Sequence, residues 1–185
     1  MKEVEIENIK KQSVVGVMAL TSRSFVLQAI NFGAMFMLTI FLAPEVFGIF
    51  FVVTAVVNFL NYFSDIGLAA ALIQKKEEVT SKDLKTTFAI QQALVLFLVL
   101  VSLILSNQIA FFYGLRGNGL GLLRALIISF FLSSLKTIPS ILLERKLEFN
   151  RLIIPQIGET LAFNLVAVIL AWQGWGISSF TWAVL

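Results

Sequence analysis

Cysteine and histidine are both missing from this 185-residue chain. Their absence removes disulfides, thiolate chemistry, Cys/His metal sites and any histidine-based triad or proton relay. Charge is scarce too: 14% of the residues are Asp, Glu, Lys or Arg, against roughly 25% in a soluble domain. So little polar surface does not sustain a water-soluble globule.

What is present is apolar. Hydrophobic residues make up 58% of the chain and the mean hydropathy is +0.92. The charges cluster in Met1–Gln12, Gln74–Lys85 and Glu144–Arg151. Between them lie runs near or above the roughly 20 residues that cross a bilayer core at about 1.5 Å per residue. The spans read as Ser13–Leu42, Phe47–Ile73, Thr86–Ser106, Leu120–Leu143 and Leu152–Trp172, with an incomplete sixth at Gly176–Leu185. The expected fold is all-α, a polytopic transmembrane helix bundle of five full helices and a truncated sixth. Residues 1–12 form a cytoplasmic N-terminal segment and residues 13–185 the transmembrane domain. Pro44 with Gly48, and Gly174 with Gly176, mark tight turns, while Pro139 and Pro155 are expected to kink the fourth and fifth helices. The first apolar run is far longer than the roughly 7–15 residues of a signal-peptide core, so it reads as a retained helix.

Orientation follows from lysine and arginine. Ten of them (Lys2, Lys10, Lys11, Lys75, Lys76, Lys82, Lys85, Arg145, Lys146 and Arg151) fall on one side. Arg116 and Arg124 fall on the other, which places the N-terminus in the cytoplasm. Tyr113, Trp172 and Trp175 sit at the outer helix ends, where amphipathic rings favour the interface. The net charge of +3 thus sets topology rather than marking an acidic partner, and the run 74–85 is a solvated loop rather than a nucleic-acid site.

Polar residues inside the apolar spans carry the functional signal. Thr54, Asn58, Asn61 and Asp65 recur at intervals of four, three and four, as do Ser129, Ser133, Lys136 and Ser140, so each set shares a helical face. Thr21, Ser24, Gln28 and Asn31 form a third stripe, with Arg23 a quarter-turn away. Small hydroxyls serve helix packing as readily as cavity lining. Charges are different, because one near the bilayer centre costs about 2.5–3.5 kcal/mol even on the lenient insertion scale. Arg23, Asp65, Lys136 and Glu159 therefore read as lining a watery interior, with snorkelling or a structural ion pair as the competing account. Counted from the cytoplasmic helix ends, all four fall in one layer about 12–15 Å deep. The third helix carries Gln91 and Gln92 near its inner end and otherwise reads as lipid-facing. The glycines of 114–121 are not a phosphate loop, since no strand precedes them and no Gly-Lys-Ser/Thr follows.

Several segments, in order along the chain, resemble the N-terminal half of bacterial polysaccharide-biosynthesis transporters. These are lipid-linked oligosaccharide flippases of the multidrug/oligosaccharidyl-lipid/polysaccharide exporter superfamily, near the O-antigen and colanic-acid exporters. The segments are Gly16 and Arg23; Leu42-Ala43-Pro44-Glu45-Val46-Phe47-Gly48; Asp65-Ile66-Gly67-Leu68; Ala71-Leu72-Ile73-Gln74; Thr87-Phe88; Ile109-Ala110-Phe111-Phe112-Tyr113; Ile138-Pro139; Leu143-Glu144-Arg145-Lys146-Leu147-Glu148-Phe149; and Leu170-Ala171 with Gly174-Trp175-Gly176.

The resemblance implies the N-terminal lobe of an exporter-type fold of two six-helix halves, with the C-terminal half as a missing partner. It also implies a function without enzymatic chemistry: flipping an undecaprenyl-diphosphate-linked glycan across the bacterial inner membrane for surface polysaccharide such as lipopolysaccharide. Membrane lipid is then a partner, nucleic acid is not, and no cofactor or metal is expected beyond coupling to a proton or sodium gradient. The expected cavity residues are Arg23, Gln28, Asn31, Asn58, Asn61, Asp65, Ser133, Lys136 and Glu159. Arg23 and Lys136 would meet the diphosphate. Asp65 and Glu159 would balance them or serve ion coupling. A drug or small-metabolite exporter on the same fold, a membrane polymerase or ligase, and a non-transporting fragment are the alternatives. A ligase would need a large outer loop, and the longest here is the short stretch around Gly114–Gly119.

Overall fold

The computed structural model describes residues 2–64, 72, 74, 79–115, 117–145 and 149–185, with backbone alone at 2–17, 19, 20, 145, 149 and 150. Among the described residues there are helices and no strand. They are α1 (Lys2–Phe41), α2 (Pro44–Ser64), α3 (Ser81–Ile104), α4 (Ser106–Phe112), α5 (Gly119–Ser134), α6 (Thr137–Arg145), α7 (Phe149–Trp172) and α8 (Ser178–Val184).

The helix boundaries have local causes. Pro44 is the first residue of α2, where its missing N–H is not needed, and Glu45 sits in the positive first turn. A capping box opens α3: Thr80 Oγ1 accepts from the Asp83 amide at 3.2 Å, and Asp83 Oδ2 accepts from the Thr80 amide at 2.9 Å. α4 and α7 end in the same motif. The Leu115 amide bonds to the Ala110 carbonyl at 2.8 Å and Gly114 to Phe111 at 3.2 Å; Trp175 bonds to Leu170 at 3.1 Å and Gly174 to Ala171 at 2.9 Å. The turning residues have φ of 62° at Gly114 and 81° at Gly174, a left-handed conformation that glycine adopts without a Cβ clash.

Thr21–Phe41, Pro44–Ser64, Ser81–Ile104 and Arg151–Trp172 are long and apolar enough to cross a membrane. A fifth span forms if Gly119–Ser134 and Thr137–Glu144 are one broken unit, bent by 45°. Pro139 explains the break. A continuous helix would need its amide to bond the Leu135 carbonyl, but proline has no N–H and its ring crowds that carbonyl. The chain tightens instead: Leu135 bonds to Leu132 at 3.2 Å and Lys136 to Ser133 at 3.3 Å, each three residues back. Pro155, by contrast, lies inside α7 without ending it.

The break corrects the reading of the third span as simply lipid-facing. Gln92 of α3 donates from Nε2 to the Ser134 carbonyl at 3.2 Å, and its side chain also pairs with Ser134 Oγ at 3.1–3.2 Å. A carbonyl freed at a kink inside a membrane has no water to bond, so a glutamine from the neighbouring helix takes that place. Gln91, Val95, Val99 and Ser102 are buried on the same helix, while Phe97, Leu100 and Ile104 stay exposed.

α5 is the central post. Leu122, Leu123 and Ile127 are fully enclosed, and the helix packs against α2, α3, α4 and α8. α1 packs mainly on α7, which also touches α6 and α8. The molecule thus has two bodies, a cluster around α5 and the α1–α7 pair. The connections between α1 and α2, α4 and α5, and α7 and α8 share one end, here the Pro44 end. There Phe50 stacks on Phe180 at 4.2 Å, Phe47 meets Phe180 edge-on at 6.2 Å, and Asn118 Nδ2 donates to Ser178 Oγ at 3.0 Å. The opposite end, where α3 begins, is the Lys82 end. Tyr113, Trp172 and Trp175 are exposed at the Pro44 end, as belt residues.

Candidate functional site

An open groove of ≈ 650 Å³ runs between the two bodies. Asn31 of α1 lines it, with Ser129 and Ser133 of α5, Lys136 at the break, and Glu159 and Thr160 of α7. Leu132, Phe163, Val166 and Trp182 supply its apolar wall. Four of the residues expected from sequence therefore meet here: Asn31, Ser133, Lys136 and Glu159.

Lys136 Nζ bonds both Glu159 oxygens, at 2.5 and 2.6 Å. The break puts Lys136 there: it ends the α5 turn, and its own carbonyl accepts from Ser140 at 3.0 Å as α6 begins. Their side chains are 53% and 57% exposed, so the pair faces the groove instead of being sealed between helices. Such a pair is open to competition by another charged group, because neither partner is locked by packing.

Deeper toward the Pro44 end, Asn164 Nδ2 donates to Asn31 Oδ1 and to the Thr160 carbonyl, both at 2.9 Å. Sequence reasoning missed Asn164. The signal was available: Gln156, Thr160 and Asn164 repeat every four residues in the fifth span, the same rule that found the other stripes. Gln92 and Ser134 were missed as a pair because their bond exists only through the kink.

The remaining expectations fall elsewhere. Gln28, Asn58 and Asn61 are exposed and do not line this groove. Asp65 lies outside the described residues. Arg23 is half-buried on α1, and its Nε is enclosed without a partner among the described residues. Nor do Arg23 and Glu159 share one layer. α1 is helical from Lys2, so the charged segment 1–12 continues into the first span and its start is no depth marker. Counted from the Pro44 end, Glu159 lies about 20 Å down α7 and Arg23 about 27 Å down α1, at 1.5 Å per residue. Arg23 therefore sits about a turn nearer the Lys82 end, because the Asn31–Asn164 bond fixes the register of the two helices. Among the described residues no cluster of acidic side chains fits a metal ion.

These features define a multi-pass membrane protein whose helices flank an open groove with an apolar wall and one lysine–glutamate pair. The polysaccharide biosynthesis protein family matches residues 37–185, well over half of the chain. The chain belongs to that family and is a membrane-associated protein of polysaccharide synthesis. No curated protein and no solved structure matches it.

Proposed function

We propose that the protein is the N-terminal lobe of a flippase, which moves an undecaprenyl-diphosphate-linked oligosaccharide across the bacterial cytoplasmic membrane. The Lys82 end faces the cytoplasm, on the ten-to-two division of basic residues. The observation that carries this reading is the Lys136–Glu159 pair, held within two spans yet open to a groove. A diphosphate entering from the Lys82 end meets Arg23 first and Lys136 a turn deeper. It competes with Glu159 for the lysine, while Asn31, Ser133 and Thr160 offer hydroxyl-matching partners. The polyprenyl tail stays in lipid. The work is translocation without covalent chemistry, done with a second lobe and driven by a proton or sodium gradient.

The test is glycan export and protein abundance, measured together in cells that depend on this protein. Lys136→Ala is expected to lower export at least tenfold with abundance unchanged, the scale of a charge-assisted contact worth about 1.5–3 kcal/mol. Arg23→Lys keeps charge but loses the planar fork, so partial export is expected. Loss of protein instead of transport makes the pair structural; normal export at normal abundance refutes the reading.

The apolar wall of Leu132, Phe163, Val166 and Trp182 favours a second reading, export of amphipathic small molecules. That reading predicts altered drug susceptibility on Trp182→Ala with glycan export intact.

A further inference from the structure

Two polar atoms on the α1–α7 seam are enclosed without partners among the described residues: Arg23 Nε, a donor, and Gln156 Oε1, an acceptor. They belong to complementary chemistries and to facing helices. α1 and α7 are the first and fifth spans, so they run in the same direction. The Asn31–Asn164 bond aligns them at an offset of 133 residues. The same offset sets Leu38 against Ala171, both in the core cluster, and Ala34 against the enclosed Ala167. One turn toward the Lys82 end it sets Leu27 against Thr160, and one turn further Arg23 against Gln156. Among the described side chains of α1, Arg23, Leu27, Ile30, Ala34 and Leu38 are the ones withdrawn from the surface. At the same offset Gln156, Thr160, Phe163, Ala167 and Ala171, all withdrawn from the surface, are their counterparts on α7.

We infer that Gln156 is the positioning residue for Arg23, its side-chain oxygen accepting the Nε–H across the seam. An enclosed donor and an enclosed acceptor at the same level of a membrane helix pair have no water to turn to, and both sit on long side chains with rotamers to choose from. The consequence is directional. Arg23 has three guanidinium nitrogens, and Nε alone is enclosed without a partner. Held there, the plane of the group is fixed and the two Nη nitrogens remain for an anion, which suits bidentate recognition of a phosphate. Asn31–Asn164 and Arg23–Gln156 are then two rungs of one ladder, and α1 and α7 move as one body beside the groove. The ligand half of this inference rests on the flippase reading; the contact does not.

The native chain has no cysteine, so paired cysteines report the contact cleanly. Arg23→Cys with Gln156→Cys is oxidised in membrane vesicles, beside Asn31→Cys with Asn164→Cys. A protease site in the 74–79 connection shows whether the fragments stay joined. Comparable cross-linking of both pairs is expected; cross-linking of the asparagine positions alone, or of neither, overturns the contact. Stabilisation of the purified protein by inorganic pyrophosphate then tests positioning. Gln156→Leu is expected to weaken the response about tenfold at unchanged abundance. Gln156→Glu keeps an acceptor but neutralises the arginine, so it too weakens the response, whereas a merely structural rung would tolerate it. Wild-type response in both variants overturns positioning. A wild type blind to pyrophosphate removes the functional reading and the ligand half with it, while the cross-link still decides the contact.

Discussion

The two ends of this bundle solve the same problem, exclusion of water from backbone polar groups, in opposite ways. At the Pro44 end helices finish cleanly in glycine turns, and the space between them is filled by Phe47, Phe50, Phe163 and Phe180. Toward the Lys82 end a proline breaks a span, a carbonyl at the break borrows a glutamine, and a lysine at the break pairs with a glutamate beside an open groove. Aromatic filling fixes the helices relative to one another. Polar substitution leaves room and leaves charges available, at the cost of a bundle that is less firmly packed. The difference teaches where the bundle is held and where it is open: tight ring packing at the Pro44 end, and a 45° bend beside a groove toward the Lys82 end.

If the aromatic end is the firmly packed one, Phe180→Ala is the most damaging single change. Phe180 is enclosed and touches three rings, so a loss of about 3–5 kcal/mol is expected from thermal unfolding in detergent. A small effect would make the two ends energetically alike. Gln92→Leu strips the Ser134 carbonyl of its side-chain partner and should cost about 1–3 kcal/mol, with the bend less well defined by spin-label distances across it. An unchanged bend and stability would mean the clamp contributes nothing. Asn164→Leu removes one interhelical bond and should cost about 0.6 kcal/mol, the average for such bonds in membranes. A loss as large as that of Phe180→Ala would erase the distinction between a packed end and a polar one.

How much of this was legible in the sequence follows the same division. The spans were legible because hydropathy reports burial in lipid directly. The bend was too, because Pro139 acts through its own missing N–H. Lys136 and Glu159 were legible as costly charges, and Asn31 and Ser133 by helical spacing. Gln28, Asn58 and Asn61 share that spacing but are exposed outside the groove, since periodicity names a face without naming its neighbour. The Gln92–Ser134 clamp was invisible, because a kink creates the demand for it and only three-dimensional contact supplies the donor. The depth of Arg23 was misjudged for a related reason: α1 extends past its apolar segment, and only the Asn31–Asn164 bond reveals the register.

The central claim, that the groove between the two bodies is a watery path inside the membrane, has a direct test in cysteine accessibility. Single cysteines replace Ser133 and Thr160 in the groove and Leu122 in the packed centre of α5, in an otherwise cysteine-free chain. A charged, water-soluble thiol reagent is then added to membranes, because only a hydrated thiol ionises and reacts. The account predicts fast labelling at positions 133 and 160 and none at 122. Labelling at the groove positions no faster than at 122 would contradict it, leaving a lipid-filled cleft with a structural ion pair at its side.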